Sequence, residues 1–421
     1  MAILFLLLVC VVPANAYIDP ATGSMLFSII IAIVATLFFI AKAVFYKVSF
    51  VLTGFSGKKE KSHFPFIIYS EGKRYWNTFN KILDEFEKRR VPVIYYTSSE
   101  DDQVFSQEYD YIKPQYIGKG NKAYLKLSLM SADICLMTTP GLDVYQLKRS
   151  KSVRHYAHVF HGLGDHCDYR LFGIDYYDSI MLTNQINAQY IRELETKRGL
   201  SQKELVLAGE TDLDVLAEQV TKLPKIEKKG FTVLLAASWG PNAILSKYGA
   251  DFIDKLVNTD WNIIIRPHPQ MLISEKPLLD SLRKRYENGK NIIWDFETSN
   301  LMSMSKADIL ISDFSGIIFE YAFLFNKPFI YTEFEDNRPI YDASDLDKPT
   351  WKKEILHKIG FELKKENFKD IIPIIESVSK DKTKLTAIEE AKTLLWANQG
   401  KAAGVIVDFL IKKQKEITVK E

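Results

Sequence analysis

Cysteine is scarce in this chain of 421 residues. Cys10, Cys135 and Cys167 lie far apart, with no C-x-x-C pair. That excludes a disulfide framework and a cysteine-type zinc site. Cys10 falls in an N-terminal apolar run, and the two remaining unpaired thiols fit a reducing compartment. An excess of one charge is also missing. The 55 Lys and Arg balance 53 Asp and Glu, so no global field favours nucleic acid. No RNA-binding or zinc-finger signature appears, so nucleic acid is not an expected partner. G-x-G-x-x-G, solenoid repeats and low-complexity tracts are absent as well. Apolar residues are plentiful, at 47%, enough for more than one core, and the length suits two domains with additions.

The N-terminus is the most apolar part. Residues Ala2 to Val12 are followed by Pro13-Ala14-Asn15-Ala16, a small-residue A-x-A arrangement like a cleavage site, but no Lys or Arg precedes them. A second apolar segment runs from Met25 to about Phe45, broken by Lys42. Its length suits one membrane-spanning helix, which needs roughly 20 residues. Lys47, Lys58, Lys59 and Lys61 follow it, whereas Tyr17 and Asp19 precede it without a basic residue. The positive-inside rule then puts everything after residue 47 in the cytoplasm of a membrane-anchored protein.

From residue 64 short apolar runs alternate with helical stretches. Phe64 to Tyr69, Val91 to Tyr96, Asp133 to Met137, His158 to Phe160 and Asp178 to Leu182 read as strands. Trp76, Phe79, Ile82, Leu83 and Phe86 recur at helical spacing. The charged, aperiodic stretch Lys222 to Gly230 reads as an interdomain linker. The rhythm then restarts with strands at 231–237, 262–266, 291–295, 308–311 and 329–332, and helices near 246–257, 275–287 and 316–325. Two such series predict an α/β chain with two Rossmann-like parallel-sheet domains. The divisions are a signal-like segment at 1–16, an anchor and juxtamembrane stretch at 17–62, domains at 63–222 and 223–345, and a helical region at 346–421.

Three motifs end strands, where open α/β sheets place ligand loops. Ser312-Asp313-Phe314-Ser315-Gly316 separates a strand from a helix carrying Glu320. Such a turn offers free N–H groups and a positive helix end to a diphosphate, and Glu320 lies where it can accept from a sugar diol. An ordinary Ser-capped connection also fits. His161-Gly162 stands at the end of a strand beside a glycine turn, suited to a general base or to a structural His. In Arg266-Pro267-His268-Pro269 two prolines restrict the His backbone, and Arg266 offers a fork to phosphate. An exposed Pro-rich turn is the alternative. A metal held by His155, His158, His161 and His166 is disfavoured. Strand residues alternate faces, and positions six apart are about 20 Å apart. The turn at Ala237-Ser238-Trp239-Gly240 is a weaker phosphate candidate, and Trp239 equally suits packing.

The combination of His161-Gly162, Arg266-Pro267-His268-Pro269 and Ser312-Asp313-Phe314-Ser315 with Glu320 and Lys327-Pro328 resembles the CDP-glycerol glycerophosphotransferase family of teichoic-acid type polymer synthesis. The likeness spans roughly residues 150 to 335. It implies a GT-B fold, two Rossmann-like domains facing a cleft, with acceptor and nucleotide-donor roles in that order. It also implies His161 as the base, His268 at the transferred phosphoryl group, Ser312, Asp313, Ser315 and Gly316 at the diphosphate, and Glu320 at the ribose. This sequence has Leu163, Gly164 and Asp165 where a Thr and a Lys commonly follow the His-Gly pair. Gly316 stands for a second Ser, and Ala237-Ser238-Trp239-Gly240 for a Pro-Thr-x-Arg type segment.

The resulting expectation is a transferase on the cytoplasmic side of a bacterial plasma membrane. It moves an alcohol phosphate from CDP-glycerol or a related CDP-alcohol to a hydroxyl of a lipid-linked or membrane-borne glycan, and CMP leaves. Fixed cations and N–H groups supply the countercharge, so neither a metal nor a cofactor is called for. The alternatives are a GT-B glycosyltransferase using a nucleotide sugar and a catalytically silent scaffold for polymer assembly.

Overall fold

The structure is a computed structural model that describes residues 29–42, 44, 63–163, 168–227, 229–333 and 339–419. The signal-like segment 1–16, most of the 17–62 stretch, and Gly164, Asp165, His166 and Cys167 lie outside the described residues. Two compact units are present, residues 1–62 and residues 63–421. In the first, residues 29–42 are helical, with Ile33, Phe38 and Phe39 exposed. No helix among the described residues is long and apolar enough to cross a membrane.

The second unit carries two parallel sheets. Its N-terminal lobe has seven strands: β1 (Phe64–Ser70), β2 (Val93–Thr97), β3 (Ile112–Tyr116), β4 (Ser131–Met137), β5 (Ser152–Val159), β6 (Ser179–Leu182) and β7 (Glu204–Leu207). Their spatial order is β3-β2-β1-β4-β5-β6-β7, and every pair is parallel. The C-terminal lobe has β8 (Thr232–Ala236), β9 (Asn262–Arg266), β10 (Ile292–Trp294), β11 (Ile309–Ser312), β12 (Phe329–Thr332) and β13 (Phe361–Leu363). Their order is β10-β9-β8-β11-β12-β13, again parallel throughout. Each sheet reverses its strand order once, between β1 and β4 and between β8 and β11. A crevice forms at such switch points, beyond the carboxyl ends of the strands.

Burial explains the elements. β8, β11 and β12 are buried at every position, as central strands covered on both faces should be. The helix Trp76–Lys88 buries Phe79, Ile82, Leu83 and Phe86 against Phe66 and Ile68 of β1. Strands β3 and β7 were not expected from the apolar pattern. Both are sheet edges with mixed exposure, and β3 contains Pro114, which an edge tolerates because its missing N–H breaks no central ladder.

The expected helical region 346–421 is divided in space. β13 completes the second sheet, and the last helix, Ala402–Val419, lies on the first lobe. There Ile406, Val407 and Leu410 join the cluster around Phe66, Phe79 and Ile82. Polar contacts agree: Gln414 Nε2 donates to Asp133 at 2.9 Å, and Lys413 pairs with Glu204 at 2.6 Å. The start of this helix is fixed by Asp214, whose carboxylate accepts from the Gly400 N–H at 2.8 Å, the Ala402 N–H at 3.1 Å and the Trp396 indole at 2.8 Å.

Gly209, just after β7, faces this connection. Its φ is +104°, and an added Cβ would lie 2.2 Å from the Ala397 carbonyl oxygen. Backbone strain and the clash act together, so Gly209→Ala should lower stability by about 3 kcal/mol. Denaturant unfolding of the variant against the parent chain measures this, and a loss below experimental error would contradict it.

Candidate active site

Strand ends from both lobes meet at one cavity of about 510 Å³. The first lobe contributes His161, Gly162, Leu163, Glu210, Asp212 and Leu213. The second contributes Arg266, His268, Asn300, Ser315, Gly316, Ile317 and Glu320, among others. The two imidazoles expected at strand ends therefore line the same space.

His161 stands two residues past β5. Its Nδ1 lies 2.9 Å from Thr138 Oγ1, one residue beyond the neighbouring β4, so the other ring nitrogen is left to the cavity. Tyr75 packs edge-on at 5.0 Å and Tyr169 stacks at 6.3 Å. The ring keeps an exposed edge, yet the protein around it disfavours the imidazolium, and Arg74 adds its charge. Together they push the His161 pKa down to about 4, so the ring is neutral at pH 7. His268 follows β9. Its Nδ1 accepts the Gln270 backbone N–H at 3.1 Å. A backbone N–H can only donate, so the neutral ring carries its proton on Nε2 and presents a donor. Burial first, then Arg74, lower this pKa also, against the opposing charge of Glu275.

Arg266 lines the cavity, but its guanidinium is not an open fork. It meets Asp295 Oδ2 at 2.7 Å and the carbonyls of Glu297 and Thr298 at 2.7 and 3.2 Å. Its charge reaches the cleft while its N–H groups hold the 295–298 loop. Ser312 and Asp313 turn away from the cavity, unlike the diphosphate contacts expected of them. The Ser312 hydroxyl donates to Ala236 O at 2.6 Å. Asp313 is fully buried and accepts from the backbone N–H groups of Ser238 and Ile244, both at 3.0 Å, and of Ser315 at 3.2 Å. Burial raises its pKa, and those N–H groups oppose the rise. Lys327 likewise serves the scaffold, donating to Ser305 O and Ala307 O.

Ser315, Gly316 and Ile317 do reach the cavity, at the start of the nine-residue helix Ile317–Phe325. N–H groups in the first turn have no preceding carbonyl to meet. Glu320, one turn on, accepts Asn300 Nδ2 at 2.6 Å. Its pKa is raised by burial and drawn down by Asn300 and Arg266.

Sequence reasoning missed Arg74, Thr138, Glu210, Asp212 and Asn300. None sits in a motif, because each reaches the site only through the packing of its element. Glu210 caps the helix Thr211–Thr221 and accepts the Asp212 N–H at 3.0 Å, and its carboxyl is pushed well up by burial and by Asp212. Burial, then the Glu320 charge facing it, push Asp212 up to about 7. Trp239 is 48% exposed beside the His268 ring, so it is not a core residue. His155 bonds Ser179 Oγ at 2.9 Å, and His158 sits among Phe160, Tyr169 and Tyr177. Among the described residues no group of three or more His, Cys, Asp and Glu side chains is placed to hold a metal.

Two facing parallel-sheet lobes with a cleft at their switch points define a GT-B-like α/β fold. Solved structures agree at the level of fold. The wall teichoic acid polymerase TagF soaked with CDPG superposes with a TM-score of 0.54 at 14% identity, over 90% of this chain and 98% of that one. MnaA of S. aureus with UDP gives 0.54 at 14% identity, over 84% and 97%. UDP-GlcNAc 2-epimerase from Neisseria meningitidis bound to UDP-GlcNAc gives 0.54 at 14% identity, over 83% and 100%. No curated protein matches in sequence. Residues 240–397 match the family model of CDP-Glycerol:Poly(glycerophosphate) glycerophosphotransferase. The resemblance to that family is thereby shown for the C-terminal lobe, which carries Arg266, His268, Ser315 and Glu320. His161 lies outside the matched residues. Family match and fold together support a transferase of the CDP-glycerol glycerophosphotransferase type.

Asp313→Ala should strand the buried N–H groups of Ser238 and Ile244 and the half-buried one of Ser315, and loosen both loops that they anchor. The expected cost is more than about 2 kcal/mol. Thermal and denaturant unfolding test this, and an unchanged midpoint would show that the turn does not depend on the carboxylate.

Proposed function

We propose that this protein is a membrane-anchored transferase of alcohol phosphate. The donor is a CDP-alcohol such as CDP-glycerol. The acceptor is a hydroxyl on a membrane-linked glycan or polymer. The observation that carries the proposal is that His161 and His268, from different lobes, line one cavity with the helix start at Ser315. The acceptor oxygen attacks the β-phosphorus and forms a new phosphodiester bond. The bond from that phosphorus to the bridging oxygen breaks, and CMP leaves with the electron pair. His161 takes the hydroxyl proton on the nitrogen turned away from Thr138. His268 Nε2–H, the amides at Gly316 and Ile317 and the Arg266 charge face the phosphoryl oxygens, where negative charge develops. Glu320, oriented by Asn300, holds the ribose diol. The apolar run from Met25 to Phe45, part of which is the helix at 29–42, keeps the catalytic unit beside a membrane-borne acceptor, on the cytoplasmic face.

Nucleotide screening of the full chain tests the donor class. CDP and CDP-glycerol should raise the melting temperature selectively, and CMP should be released only from CDP-alcohols. Turnover of UDP-sugars alone would replace this reading with glycosyl transfer. His161→Ala and His268→Ala should each lower transfer by about 10²-fold or more while CDP still binds. Wild-type activity with both would sink the two-imidazole mechanism.

Because His161 protonates near pH 4 rather than the ordinary 6.5, the base stays unprotonated through mildly acidic pH. The acid limb of kcat/KM is therefore expected well below pH 6.5. For stability the sign is opposite. As pH falls below 6.5 the unfolded chain takes the proton first, so this group's cost to stability grows and levels off once the folded ring also protonates. An acid limb at or above pH 6.5 would show that the base is another group.

A further inference from the structure

The catalytic scheme leaves Glu210 unused, although it lines the cavity beside His161-Gly162. The side chain is 1% exposed. One carboxyl oxygen is occupied, since Oε1 accepts the Asp212 N–H at 3.0 Å. The other, Oε2, is buried near the Gly162 backbone N–H and makes no hydrogen bond of normal geometry among the described residues. An orphaned carboxyl oxygen is costly, and native proteins keep one where a ligand completes it. The position is also rigid. Gly209 fits against the Ala397 carbonyl, and the Thr211 hydroxyl donates to Thr78 O at 2.8 Å. No Lys or Arg stands among the described lining residues of this lobe. Asp212 is a second carboxyl there, and Glu320 faces it across the cleft. A phosphate placed here would meet acidic groups, and Arg74, whose charge acts on the imidazoles, does not line this wall. Neutral hydroxyls would meet acceptors in want of donors.

We propose that Glu210 is the acceptor-binding carboxyl of this cleft, and that it takes a neutral sugar diol, one hydroxyl hydrogen-bonding Oε2 while its neighbour is presented to His161. The acceptor terminus is thus an uncharged sugar rather than a chain end bearing a phosphate. This assignment deepens the transfer reading and rests on it for the identity of the reacting hydroxyl.

Binding to the full chain in detergent separates the two. CDP is titrated first, into the parent and into Glu210→Gln. The CDP-saturated proteins are then titrated with methyl N-acetyl-β-glucosaminide and with glycerol 3-phosphate. Gln keeps a carbonyl oxygen for the Asp212 N–H, so the helix cap survives. CDP affinity is expected to be equal in both proteins, and the parent should prefer the neutral glycoside to glycerol 3-phosphate. In Glu210→Gln glycoside binding should weaken by about tenfold or more, because the amide NH2 that replaces Oε2 cannot accept the glycoside hydroxyl. Preference of the parent for glycerol 3-phosphate overturns the proposal without use of any variant. So does unchanged glycoside affinity in Glu210→Gln. Failure of CDP to bind the parent would end the donor reading instead, while the glycoside comparison still decides the role of Glu210.

Discussion

The site depends on one buried carboxylate. Asp313 gathers backbone N–H groups from the loop after β8 and from its own turn after β11. These two strands flank the switch point of the second sheet, so their loops are the ones that a ligand must meet. A buried carboxylate is tolerable only when such donors satisfy it. Here that requirement fixes Ser238, Ile244 and Ser315 about one point, and with them the helix start that faces the cavity. The most conspicuous acid of the motif thus acts on the ligand indirectly, by holding backbone amides in place.

The next constraint is between lobes. The chain leaves the second lobe near Trp396 and returns to the first through Ala402–Val419, whose apolar face completes a core begun at Phe66. Asp214 fixes the crossing point. A second tie joins Arg198, at the end of the helix Ile186–Arg198, to Asp342 and Asp345 at 2.8 and 2.7 Å. Asp175 completes this buried set at 2.7 Å. Because Arg198 and Asp342 are both largely buried, breaking one partner would leave the other uncompensated. Such ties set the relative placement of His161 and His268, which no local sequence rule controls.

Electrostatics then assign the roles within the cleft. The surrounding protein and the Arg74 charge disfavour the protonated form of both imidazoles. Their hydrogen-bond partners make them different: a backbone donor forces His268 to present its proton, while Thr138 holds the opposite side of His161. Arg74, 72% exposed at its side chain and stacked on Tyr75, acts on both rings. Beside His161 in the first lobe, burial raises the pKa of Glu210 and Asp212, with Asp212 adding to the rise at Glu210 and Glu320 to that at Asp212. A cleft with donors at His268 and the helix start and carboxyls at Glu210 and Asp212 can tell a diphosphate from a diol.

Local sequence determined the strands with unbroken apolar runs, the helix at Trp76–Lys88, the strand-end placement of His161, His268 and Ser315, and the family likeness of the second lobe. Those features are written in periodicity and in short motifs, because burial on both faces or one face imposes its pattern directly. Tertiary structure alone decided that β3, β7 and β13 join the sheets and that the last helix belongs to the first lobe. Edge positions demand little apolar sequence, and a helix's partner is not encoded in its own period. It also decided that Ser312, Asp313 and most of Arg266 serve the scaffold, while Glu210, Asp212 and Asn300 face the ligand space and Thr138 holds His161 from behind. A side chain's type states which hydrogen bonds it can make, but only the packed chain determines which neighbours claim them first.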